Sequence, residues 1–78
     1  MSEVVLPELG EGIEKAVVAC WHVKRGDRVN AGDDIVELVT DKATFNVSAP
    51  IGGRIEKIYF EEGKEVKIGA SLASINAV

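Results

Sequence analysis

VACWHVKRGDRVNAGDDIVEL, residues 18–38, returns 37 positions later as IEKIYFEEGKEVKIGASLASI, residues 55–75. Val18 aligns with Ile55, Trp21 with Ile58, Gly26 with Gly63, Val29 with Val66, Gly32 with Gly69, Ile35 with Leu72, and Leu38 with Ile75. Each copy reads as strand, glycine turn, one buried valine, second glycine turn, strand, so a single supersecondary unit is used twice. Turn glycines recur in any small sandwich, but chance would not also fix the apolar positions between them. Neither copy can bury its apolar face alone, whereas two copies facing each other enclose one core. The pattern therefore predicts an all-β fold, a flattened barrel or sandwich of two four-stranded antiparallel sheets related by an approximate twofold axis. The three-residue step from Val18 to Trp21, repeated from Ile55 to Ile58, breaks strict alternation and predicts a bulge or corner in each half.

Composition agrees with the repeat. Valine (11) and isoleucine (7) outnumber leucine (4), and β-branched side chains fit a pleated, half-buried surface better than a helix. Glycine and proline punctuate the chain at the turn spacing of an all-β protein. Strands are expected at about 3–6, 15–23, 34–40, 43–49, 53–60 and 71–76, with two very short ones near Val29 and Val66. At 78 residues and 8.3 kDa the chain is the size of one domain, 1–78, which excludes a large enzyme. Hydrophobic residues at 46% and charged residues at 28% argue for a folded, soluble module, and no apolar run approaches the roughly 18 residues of a membrane span. A net charge of −4 leaves no basic surface for a phosphate backbone, so nucleic acid is not an expected partner, and without a spanning apolar run neither is a membrane. Cys20 is the only cysteine, which fits a reducing compartment, and with the single His22 it cannot assemble a zinc site. The opening Met1, Ser2, Glu3 has no basic or apolar leader pattern and reads as mature or cytosolic.

Between the two copies lies Thr40, Asp41, Lys42, Ala43, which the repeat does not explain. On one flank Val36 and Leu38 share a face opposite Glu37 and Val39. On the other Phe45, Val47 and Ala49 alternate with Thr44, Asn46 and Ser48. Two alternating strands around Asp41 and Lys42 make a hairpin. The turn lacks the glycine or asparagine that primed turns use at positive φ, so a type I geometry is expected, with Asp41 able to bond local amides. Lys42 then stands at the tip. A turn lysine is ordinarily only a solvated charge, but this one is the outermost point of a stiff hairpin, where its amine reaches a partner's active site without unfolding its carrier.

These residues resemble the lipoyl domains of the acyltransferase component of 2-oxo acid dehydrogenase complexes, within the biotinyl and lipoyl attachment family. The resemblance covers LPELGEGI (Leu6 to Ile13), WHVKRGDRV (Trp21 to Val29), TDKA (Thr40 to Ala43), SAP with its following glycines (Ser48 to Gly53), and EGKEVKIGASL (Glu62 to Leu72). It implies a barrel-sandwich hybrid with lipoic acid amide-linked to Lys42, and Asp41 and Ala43 as marks read by a lipoate ligase or lipoyl transferase. It also implies that Gly10, Glu11 and Gly12 form a loop beside the lysine turn that touches the thiamine-dependent decarboxylase. The implied role is a non-catalytic swinging arm serving that decarboxylase, an acyltransferase core that passes the acyl group to coenzyme A, and a dihydrolipoamide dehydrogenase. The implied locations are a prokaryotic cytoplasm or the mitochondrial matrix, and the isolated domain is expected to be a monomer. Biotin carriers share the fold but flank their lysine with methionines, so Asp41 and Ala43 favour lipoyl. Val39 and Asn46 stand where members of the family often carry acids, a departure that bears on partner choice.

Two rival functions make different predictions: a biotin carrier would take a biotinyl group, and a cofactor-free interaction barrel would take no covalent group. Nothing in the chain spells a triad, a phosphate loop or a calcium loop, and so small a barrel is expected to leave no room for a pocket. Cys20 reads as a small strand side chain, His22 as a partly exposed one, and Glu61 and Glu62 as a solvated turn. Gly26, Gly32, Gly63 and Gly69 are expected at turns that need positive φ.

Overall fold

The computed structural model of the chain describes residues 2–77. Eight strands follow in order: β1 (Ser2–Val5), β2 (Lys15–Trp21), β3 (Arg28–Val29), β4 (Asp34–Val39), β5 (Thr44–Ser48), β6 (Gly53–Ile58), β7 (Glu65–Lys67) and β8 (Ser71–Asn76). The six long strands end within two residues of their expected bounds, and the two short ones contain Val29 and Val66. They build two antiparallel four-stranded sheets, β1-β8-β6-β3 and β5-β4-β2-β7. The sheets stay separate in their pairing, so the molecule is a sandwich and not a closed barrel.

Exchanging β1 with β5, β2 with β6, β3 with β7 and β4 with β8 turns one sheet order into the other. Each sheet thus takes two strands from each half of the chain, and the copies interlock instead of contributing one sheet apiece. Reciprocal backbone bonds tie them. The Gly26 N–H donates to the Ile55 carbonyl at 2.7 Å and the Gly63 N–H to the Val18 carbonyl at 2.7 Å. Ile55 N–H reaches Asp27 O and Val18 N–H reaches Lys64 O, both at 2.9 Å. Backbone groups that either copy would leave unpaired are satisfied only by the other, which makes the halves one cooperative unit.

The repeat also marks the core. Val18 and Ile55, Val29 and Val66, Ile35 and Leu72, and Leu38 and Ile75 are all buried, with Val4, Leu6, Ala16, Val36, Val47, Ala49 and Ala73 filling between them. Register shifts fall between Val18 and Cys20 in β2 and between Ile55 and Lys57 in β6, at Ala19 and Glu56, which the offset relates. These are the two bulges expected from the spacing. A second related pair, Ile35 and Leu72, is skipped in the pairing of β4 with β5 and of β8 with β1. The extra residue lets Ile35 and Val36 both face inward, which strict alternation forbids. The four repeat glycines adopt φ of 94°, 93°, 89° and 90°, as the turns demand.

Trp21 packs against the core while its indole N–H donates to the Phe60 carbonyl at 2.8 Å. Glu62 is exposed, yet its carboxylate accepts the Trp21 backbone N–H at 3.2 Å, so it is more than the solvated acid expected.

Candidate functional site

The hairpin of β4 and β5 is held by pairing from Asp34 with Ser48 to Val39 with Thr44, and its core side is anchored by Val36, Leu38 and Val47. At the tip the Thr40 N–H donates to the Ala43 carbonyl at 2.9 Å. The Thr40 hydroxyl donates to the same carbonyl at 3.0 Å and accepts the N–H groups of Lys42 at 3.2 Å and Ala43 at 3.1 Å. No non-glycine residue among those described has positive φ, so the turn is not of a primed type. The device that fixes it is the Thr40 side chain, where Asp41 was expected. A threonine opening a turn is a recognised local mimic of a backbone turn, so the signal lay in the TDKA stretch itself.

Asp41, Lys42 and Ala43 are exposed, and among the described residues the Lys42 amine has no hydrogen-bond or ion-pair partner. An unpaired ammonium on a rigid turn is available to chemistry without the breaking of any internal contact. The Gly10 to Gly12 loop lies beside it: Lys42 Nζ is 3.4 Å from the point where a Cβ on Gly12 would stand, and Gly12 has φ of 82°. The loop closes on an Ile13 N–H to Gly10 carbonyl bond at 3.2 Å, leaving Glu11 exposed at its tip. Loop and hairpin come from separate parts of the chain, brought together because β2 pairs with β4 directly, Val17 opposite Val39.

An open depression of about 480 Å³ lies between them, bordered among others by Gly12, Val17, Val39, Asp41, Lys42 and Glu65. Where so small a barrel was expected to leave no room for a pocket, the surface between the loop and the hairpin is concave, a feature of tertiary packing that no local pattern spells. Lys15 and Glu65 pair at 3.3 Å on its border, an exposed contact worth little.

Cys20 and His22 lie away from the turn. The His22 Nε2 and Asn46 Oδ1 are 3.0 Å apart, and the half-buried Cys20 Sγ is 3.7 Å from the Trp21 carbonyl oxygen. Among the described residues no three His, Cys, Asp or Glu side chains gather as a metal site.

Thr40→Val keeps the shape of the side chain and removes its three hydrogen bonds. It is expected to lower stability by about 1 kcal/mol, which urea unfolding measures.

Residues 2–75 match the family described as biotin-requiring enzyme. The dihydrolipoyllysine-residue succinyltransferase component of the 2-oxoglutarate dehydrogenase complex of Rickettsia conorii is 39% identical over 74 residues, 95% of this chain and 19% of that protein. The dihydrolipoyllysine-residue acetyltransferase component of the pyruvate dehydrogenase complex of Staphylococcus aureus is 33% identical over 75 residues, 96% of this chain and 17% of that protein. The chain spans less than a fifth of these curated relatives. The solution structure of the lipoyl domain of the 2-oxoglutarate dehydrogenase complex of Azotobacter vinelandii matches with a TM-score of 0.78 at 33% identity, covering 97% of this chain and 96% of that domain.

Proposed function

The chain belongs to the biotin and lipoyl attachment family, as a lipoyl domain of the acyltransferase type, and from that premise we propose that residues 1–78 act as one carrier whose Lys42 bears lipoic acid in amide linkage. The observation that carries the reading is the unpaired, exposed Lys42 amine on a turn that Thr40 fixes from within. Asp41 and Ala43 flank it, and the only methionine is Met1, so the methionine flanks of a biotin carrier are absent. When bound, the group supplies a cyclic disulfide that takes up an acyl group with its own reduction, yields it to the thiol of coenzyme A, and is returned to the disulfide by a flavin dehydrogenase.

The residues of the domain bind and position. Asp41 and Ala43 mark the lysine for a lipoate ligase or lipoyl transferase. The Gly10 to Gly12 loop offers Glu11 to the thiamine-dependent decarboxylase at the place where the arm is rooted. The interlocked sandwich holds this constellation still while the acyltransferase core and the dihydrolipoamide dehydrogenase are visited in turn. Tethering raises the local concentration of the carried group at each of these sites above that of a free small molecule. A monomer in a prokaryotic cytoplasm or the mitochondrial matrix suits this role, and none of the described residues form a helix long and apolar enough to cross a membrane. The parent complex handles one 2-oxo acid, of the pyruvate, 2-oxoglutarate, branched-chain or acetoin class.

The test is reductive acylation of the lipoylated domain by a decarboxylase and its radiolabelled 2-oxo acid. Label should enter the lipoylated protein and should not enter the Lys42→Arg variant. A panel of decarboxylases then identifies the acid. In the same assay Glu11→Ala should lower kcat/KM for acylation about tenfold, with ligase modification unchanged. Equal acylation rates would reduce the loop to a turn.

A further inference from the structure

The internal symmetry isolates two exposed side chains. Val17 on β2 and Val39 on β4 are direct cross-strand partners, and they are 39% and 40% exposed. The 37-residue offset carries them to Arg54 and Asn76, which are direct partners at the equivalent place in the other sheet. A cation and an amide serve there, so strand pairing at this point does not require apolar side chains. At the lysine end the same position holds two valines that add nothing to the core and stay in contact with water. Both border the depression that Lys42 also borders.

We propose that Val17 and Val39 form a resting seat for the apolar, cyclic-disulfide end of the group carried on Lys42, a reading that rests on the lipoylation proposed above. Val39 and Lys42 are three positions apart, at most about 10 Å along the backbone, and both border the same depression, so an extended octanoic acid skeleton on Lys42 can lie along it. Amide formation also removes the lysine cation, so the arm that lies along the groove is uncharged throughout. The depression is open, with Val17 and Val39 lying beside charged groups that include Lys15, Asp41 and Glu65, and two valine side chains match one uncharged five-membered ring better than a protein surface, which calls for larger aromatic or arginine anchors. Seated, the ring is shielded between visits, and a partner enzyme's active site competes for it.

The test starts from protein shown by intact mass to carry one lipoyl group, beside unmodified protein. Methyl resonances of Val17 and Val39 should shift on lipoylation while those of the buried Val29 and Val66 stay in place. A water-soluble phosphine should reduce the carried disulfide about threefold more slowly than free lipoamide, and V17T with V39T together should bring the rate back to the free value. The methyl spectrum of the double variant shows directly that it is folded. Modified protein with unmoved methyls and free-lipoamide reduction rates would overturn the seat and leave the carrier reading standing. Methyl shifts that arise only on adding the decarboxylase would assign the valines to that protein and overturn the seat equally. Failure of the ligase to modify the domain would remove both readings together.

Discussion

With Asp41→Lys and Lys42→Ala combined, so that the lysine moves one place, lipoylation should fall below detection while the domain remains folded. The structure explains why folding survives. Thr40 secures the turn through the backbone amides of residues 42 and 43 and the Ala43 carbonyl, groups that the exchange leaves intact. Residues 41 and 42 are exposed and have negative φ, which lysine and alanine adopt without strain. The change in stability should therefore stay within about 0.5 kcal/mol, as at other surface sites. The amine, however, is re-aimed. Successive residues of a turn point to different sides, and an amine displaced by several ångströms no longer meets an activated lipoyl group held at near-attack distance. A ligase reaction followed by mass, with a thermal melt of the same sample, reads both outcomes. Full modification at position 41 would show that any exposed lysine serves.

The second large effect concerns a residue far from the lysine. Gly53→Ala should cost on the order of 4 kcal/mol or more, a large part of what a domain of this size has to lose. Gly53 is buried on β6, and a Cβ there would collide with the Asn76 carbonyl oxygen and stand 2.8 Å from the Ile75 Cγ2 and 2.9 Å from the Asn76 carbonyl carbon. Most of the obstruction is backbone, which cannot rotate away as a side chain tip would. Relief requires β6 to move off β8 where Arg54 pairs with Asn76, at the centre of a sheet. The symmetry-related residue is Ala16, whose Cβ is accommodated in the core at 2% exposure, so Ala16→Gly should cost only about 1 kcal/mol. Urea unfolding of both variants measures the asymmetry. Equal and small effects would mean that the strand end gives way and that the glycine is not required.

The contrast between these two positions shows what the sequence made legible. Periodic burial and turn chemistry are local, so the repeat, the strands, both bulges at Ala19 and Glu56, and the hairpin around Lys42 could all be read before the structure. The interlocking of the halves could not, because two copies each making a sheet and two copies sharing both sheets bury the same residues. Pairing partners are decided by backbone contacts between distant segments, such as Gly26 with Ile55. Gly53 was hidden for the same reason, since its repeat partner is an alanine and only the approach of Asn76 makes the hydrogen necessary. At the site, Lys42, Asp41 and Ala43 stand exposed as expected, and the Gly10 to Gly12 loop lies beside the lysine. The turn's own lock was assigned to Asp41 when Thr40 holds it, a choice between two neighbouring side chains that each have the chemistry for the task. The concave surface bordered by Val17 and Val39 was missed because it joins residues that meet only across β2 and β4.

The proposal that Lys42 alone carries lipoic acid is decided by intact mass and peptide mapping of the wild-type domain and of Lys42→Arg, each incubated with lipoate, ATP and an active lipoate ligase. A single lipoyl addition is expected on the wild type, mapped to Lys42 and taking the formal charge from −4 to −5, with no addition to the variant. A lipoyl group on the variant, or a wild-type domain that the ligase leaves untouched while modifying a known substrate in the same tube, would contradict it.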